Sequence, residues 1–221
     1  MLFVYDKENW HYPVEMKFAD KKIDITDLSV DHSNNPSFVD NKELFIWHKQ
    51  KWAKHNACHT GVCPGTDQSE FYSTSCETNK VWVYHRQNKT KAFLEGPETS
   101  YIASGAGILY AVGLKDKKLY RYTKVDKKWS TMGLENVLKV ASGPGGSIFA
   151  IIEGNTIVKY NKATQSWSQF GNRHDAFKVT VDGEAHVYLQ DRDNNVWKTK
   201  TSESIDNKII ECKKKAKVGA D

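Results

Sequence analysis

Short runs of alternating apolar and polar residues, cut off by Gly, Asn and Ser, follow one another along the whole chain. Residues 137–170, VLKVASGPGGSIFAIIEGNTIVKYNKATQSWSQF, show the pattern best. Val137 to Ala141, Ser147 to Ile152, Thr156 to Tyr160 and Ser166 to Phe170 read as four strands. The turns between them, Ser142-Gly143-Pro144-Gly145-Gly146 and Glu153-Gly154-Asn155, supply the positive φ that antiparallel strands need where they reverse. Strands of about five residues so closely joined make a four-stranded antiparallel meander. The unit before repeats it, through Tyr101-Ile102-Ala103, Ile108 to Val112, Leu119 to Tyr122 and Trp129. The unit after does so through Phe177 to Val181, His186 to Gln190 and Val196-Trp197.

One aromatic residue marks the second strand of each unit: Phe3, Phe38, Tyr72, Tyr110, Phe149 and Tyr188. The intervals are 35, 34, 38, 39 and 39, and the step across the termini is 36. A period that closes on itself is the mark of a circular repeat array. The expected fold is therefore all-β: one six-bladed β-propeller of four-stranded antiparallel blades over residues 1–221. The blades fall at 216–221 plus 1–26, then 27–55, 56–96, 97–132, 133–170 and 171–212. A strand at Ala216 to Gly219 is expected to pair with the N-terminal strands and close the ring, so that no sheet edge stays open at the seam.

Third strands carry aromatic pairs (Phe45 and Trp47, Trp82 and Tyr84, Tyr120 and Tyr122) that period-two geometry places as packing between blades. Aromatic content is 12%, which suits such packing, and the charged fraction of 27% is ordinary for a globular chain. Net charge is +5, short of what a committed nucleic-acid binder carries. No apolar run approaches the roughly 20 residues that cross a bilayer. The Met1-Leu2-Phe3-Val4 start lacks the long apolar stretch of a signal peptide. The expectation is a protein that is cytoplasmic or released by a non-classical route. Cys58, Cys63 and Cys76 fall in one unit and Cys212 in the last, too sparse for a disulfide scaffold, though one local bridge within 58–76 is compatible with the spacing. Reading Cys58, His59, Cys63 and Cys76 as zinc ligands fails on spacing.

Lys128-Trp129-Ser130-Thr131-Met132-Gly133-Leu134, then Leu138 to Gly143, Ser147 to Ile151 and Ile157 to Tyr160 resemble a tectonin-type repeat. The likeness is close over 97–170. Elsewhere it thins: the unit at Trp52 lacks the Gly-Leu, and Asn207 to Ile210 stands where a Trp belongs. The resemblance implies a six-bladed propeller lectin that recognises glycans on microbial or foreign surfaces, multivalently, with no catalysis, metal or cofactor. The Gly-His and Trp-Asp markers of WD repeats are absent.

Sugar sites pair an aromatic face with polar side chains. Trp52, Trp129 and Trp167 open equivalent fourth strands and are candidates, with inward packing as the plainer alternative. The loops that depart from the repeat are the other candidates. Asp31, His32 and Asn35 replace a Ser-Gly turn, and His59 and Asp67 flank an extended one in the next unit. His85-Arg86, His48-Lys49 and the run Lys213 to Lys217 suggest a basic rim for an anionic glycan or lipopolysaccharide. No nucleophile elbow, phosphate loop or His-Glu metal helix occurs. The reading is a carbohydrate-binding protein, with a protein-binding scaffold as the alternative.

Overall fold

The computed structural model describes residues 4–6, 9–11, 25–31, 35–48, 51–55, 57–66, 69–86, 90–200 and 208–210. Five sheets of four antiparallel strands follow one another along the chain, each strand paired with the next. Blade 1 runs from Ile25–Val30 to Lys51–His55 and blade 2 from His59–Pro64 to Thr90–Phe93. Blade 3 runs from Thr99–Gly105 to Lys128–Thr131, blade 4 from Val137–Ser142 to Ser166–Gln169, and blade 5 from Ala176–Val181 to Lys208–Ile210. The first strand of each blade packs on that of the next, which sets the blades around a common axis. This is a β-propeller.

The expected count of six is corrected to five four-stranded blades among the described residues. The N-terminal segment shows a two-stranded sheet, Val4–Asp6 with Asn9–His11. Its expected partner strand at 216–219 and the marker Phe3 lie outside the described residues, as does Cys212. A recurring aromatic counts repeats; it does not say that each repeat completes a sheet.

The first strands share one departure from regular pairing. Each skips a residue near its start: Thr26, Thr60, Ser100, Leu138 and Phe177. A bulge of this kind reverses the side-chain alternation beyond it. As a result Val137 and Val140, three apart, enter the same core cluster with blade 3. Val62, Ile102 and Val179 likewise join clusters with the blade before them. Leu28, the equivalent in blade 1, is 46% exposed.

A second repeated device joins blades through the backbone. The turn between second and third strands holds Lys42, Asn79, Lys117 and Asn155 at positive φ. Their carbonyls accept the N–H of the residue that opens the next blade: His59 at 2.8 Å, Thr99 at 2.6 Å, Val137 at 2.9 Å and Ala176 at 3.2 Å. All four donors are buried. A buried N–H without an acceptor costs about 1–3 kcal/mol, so the left-handed turn is fixed by its neighbour's need for a carbonyl.

Candidate functional site: the axial channel

Two cavities of about 690 and about 790 Å³ follow one another along the axis and share Asp27, Leu28, Tyr101, Val179 and Thr180. The upper one is bounded by the loops after the first strands and carries Asp31 and Asp182. The lower one carries Lys117, Lys139 and Lys178. The lower mouth is thus basic, whereas at the upper one Asp182 stands with an Asp31 carboxylate that Arg86 balances, and Asp27 lies between.

The residue following each bulge, Asp27, Gly61, Tyr101, Lys139 or Lys178, occupies the same place in its blade and lines the lower cavity. Architectural positions in a repeat array are alike from blade to blade, as with Phe38, Tyr72, Tyr110 and Phe149, all fully buried. This layer is chemically different in almost every blade. The carboxyl of Asp27 accepts the Val62 N–H at 2.8 Å, and burial pushes its pKa up against the effect of that bond. The Lys139 ammonium sits 4.7 Å from the Phe177 ring centroid and 5.6 Å from that of Tyr101. Burial, reinforced by the charge on Lys178, lowers the Lys139 pKa, with Asp27 pulling the other way. The Tyr101 phenol is pushed up, mainly by burial.

The side chains singled out in the sequence divide between this channel and the seams. Asp31 reaches the upper mouth, where its carboxylate accepts the Asn35 N–H at 2.9 Å and the Asn35 side-chain amide at 3.1 and 3.2 Å. His32 and Asp67 lie outside the described residues. His59 is fully buried, with Ser73 Oγ 2.7 Å from Nδ1 and Tyr84 Oη 3.3 Å from Nε2. Trp52 meets Phe38 and Trp47 edge-on. Trp129 packs on Tyr122, and a Cβ on Gly96 would overlap its indole. Trp167 packs on Tyr160 and donates its indole N–H to the Met132 carbonyl at 2.9 Å, across the seam between blades 3 and 4. All three tryptophans are half-buried.

The expected basic rim takes a different form. Arg86 is buried in an ion pair with Asp31, and His85 lies 3.3 Å from the buried Glu70 carboxylate, which also takes Lys124 at 2.9 Å. Lys49 and the run 213–217 are outside the described residues, and the position of the His48 side chain is too. Cys58 and Cys76 are joined in a disulfide, while Cys63 is a buried free thiol on the upper cavity. Among the described residues no group of three or more His, Cys, Asp or Glu side chains is arranged to hold a metal, and no helix is long and apolar enough to cross a membrane.

The sequence matches no protein-family model and no curated protein. In shape the chain is similar to a chain of the nidogen/laminin complex, with a TM-score of 0.67 and 13% identity over 90% of this chain and 85% of that one. It is also similar to virginiamycin B lyase from Staphylococcus aureus, with a TM-score of 0.66 and 13% identity over 87% and 72% of the two chains. The WD40 repeats of RRP9 give a TM-score of 0.63 at 13% identity, with 83% of this chain covered and 62% of that one. Likeness at this identity concerns the fold alone, a β-propeller.

Proposed function

We propose that the chain is a non-catalytic carbohydrate-binding propeller whose recognition site is the lower end of the axial channel. The observation that carries this reading is the lining of that cavity. Thr26, Thr60, Ser100, Thr180, Tyr188 and Gln190 line a concave space beside Tyr101. The Thr26 and Ser100 hydroxyls donate to the Val39 and Val112 carbonyls, the Tyr188 hydroxyl to Asp182 and the Gln190 amide to Asn194. This keeps hydroxyl oxygens as acceptors and leaves Thr60 and Thr180 as the wall's hydroxyl donors. The cavity volume of about 790 Å³ lies within the range of about 300–1,000 Å³ typical of ligand pockets. Neutral donors and acceptors facing one aromatic surface suit the hydroxyls and the apolar C–H face of a sugar ring. The tectonin-like repeat over 97–170 points the same way. Recognition is then by one axial site, with the tryptophans of the fourth strands serving the seams.

A glycan-array screen of the purified protein at low and high salt tests this. Binding to a defined set of glycans is the expected result, and an array without signal would overturn it. The alternative, a scaffold for a protein partner, has one specific observation in its favour. The outer strand Thr90–Phe93 is exposed throughout, and Phe93, 37% exposed, stacks on Trp82.

A further inference from the structure

Lys139 and Lys178 stand at the same position in adjacent blades, on the wall of one cavity. Among the described residues, neither ammonium has a carboxylate within 4.0 Å, and neither has any further polar partner. The half-buried Lys139 has only aromatic faces, Tyr101 and the 47% exposed Phe177, in place of a counter-ion. Cation–π contacts of this kind offset only part of the cost of holding a partly desolvated ammonium beside a second one. Asp27 does not close this account. Its carboxyl is turned to the backbone of blade 2, and its burial favours the neutral acid. Lys117 adds a third positive group at the same mouth. An anion entering the cavity would meet two ammonium groups while its remaining atoms reach the hydroxyl-bearing wall.

We propose that the lower cavity binds an acidic sugar, with Lys139 and Lys178 holding its anionic group and Tyr101 facing its ring. The inference rests on the carbohydrate-binding reading and narrows it to a charge class and a pair of lysines. It accounts for a layer that differs between blades: a neutral sugar would not need two lysines side by side, whereas a carboxylate or sulfate does. Lysine contributes a point charge with rotatable donors, so it tolerates either anion.

The test is a chemical-shift titration of the full chain with glucuronate, glucose 6-sulfate, glucose and inorganic sulfate, repeated for Lys139→Gln and Lys178→Gln. Glucuronate or glucose 6-sulfate, or both, should bind at least about tenfold more tightly than glucose, as expected for one charge-assisted contact. The stronger of the two identifies the anion. Each variant should lose about tenfold toward the acidic sugar and little toward glucose. Lys178 is exposed, so its variant stays informative even if the inner-strand Lys139 variant folds poorly. Equal binding of glucose and the acidic sugars would overturn the inference while leaving the lectin reading intact. Unchanged affinity in a folded Lys178→Gln variant would overturn the assignment to this cavity. Inorganic sulfate binding as tightly as the acidic sugars would remove the sugar from the inference. No binding of any probe would overturn the inference, and the array result then decides the wider reading.

Discussion

Arg86 crosses from blade 2 to blade 1 and places its Nη1 2.7 Å from Asp31 Oδ2, with the two side chains only 7% and 9% exposed. The guanidinium also lies over the Phe71 ring, 5.8 Å from its centroid. The pair therefore closes the seam at the upper mouth of the channel and fixes Asp31, which in turn accepts from Asn35. Removing one member of a buried pair costs more than the pair itself contributes, because the other charge stays desolvated. Arg86→Met should destabilise the protein by about 3 kcal/mol or more in urea denaturation. The double variant Arg86→Met with Asp31→Asn should recover part of that loss, which a pair without coupling would not do.

The turn of blade 1 offers a change in the opposite direction. Asn41 and Lys42 both have positive φ, at 48° and 67°, between the paired Asp40 and Glu43. A two-residue hairpin loop of this type prefers Asn-Gly, and lysine is strained there. Lys42→Gly should raise stability by about 0.5–1 kcal/mol while its carbonyl still accepts the His59 N–H. A fall in the thermal midpoint would show that the lysine side chain has a role of its own.

His59 makes stability depend on pH. Ser73 Oγ donates to the Gly61 carbonyl at 2.7 Å, so it accepts the His59 Nδ1–H, and Nε2 accepts from Tyr84. Both ring nitrogens are satisfied in the neutral form, and burial lowers the pKa to about 4. Protonation therefore favours the unfolded chain, whose imidazole titrates near 6.5. Stability is full above about pH 6.5 and falls toward pH 4, by about 1.4 kcal/mol per unit and ~3 kcal/mol in all. His55, also lowered by burial, adds to the slope. His59→Gln should flatten most of it in denaturation curves recorded across this range.

The disulfide encloses a short loop. Cys58 and Cys76 are 18 apart in sequence with Cα atoms 5.3 Å apart, and the Cys76 N–H donates to the Cys58 carbonyl at 3.0 Å. Closing a loop of this size is worth about 3 kcal/mol by the chain-entropy relation. Replacing both cysteines with serine should lower the unfolding free energy by about that amount under oxidising conditions and change nothing in the presence of reductant. An equal loss under both conditions would point to the packing of the side chains instead.

The strand pattern was open to reading because turn residues and alternation are local: the meander at 137–170 forms where Gly154 and Asn155 place its turn. The tryptophans were ambiguous for a physical reason. Trp129 and Trp167 pair across strands with Tyr122 and Tyr160, and a cross-strand aromatic pair at a seam has the same composition as a sugar platform. The channel layer was hidden by the bulges. Strict alternation groups Val137, Lys139 and Ala141 on one face, whereas the skipped Leu138 sends Val137 to the core with blade 3 and turns Lys139 toward the channel. Aligning the first strands at the skipped residue brings Asp27, Tyr101, Lys139 and Lys178 into one column, which an alignment on aromatic markers does not.

Lys139 also sets the pH range of ligand binding. Its ammonium must be protonated to hold an anion, and its pKa lies below the ordinary 10.5 of a lysine. Affinity for glucuronate or glucose 6-sulfate should therefore start to fall as pH rises before ordinary lysines titrate, with Asp27, Lys178, Lys117 and Tyr101 facing the same space. In Lys139→Gln that early fall should be missing.

The most direct measurement of the central claim is hydrogen exchange of the full chain with and without the best oligosaccharide from the array. The axial-channel account predicts protection in the first strands Thr99–Gly105, Val137–Ser142 and Ala176–Val181. Protection centred instead on the fourth strands Lys128–Thr131 and Ser166–Gln169, where Trp129 and Trp167 lie, would contradict it.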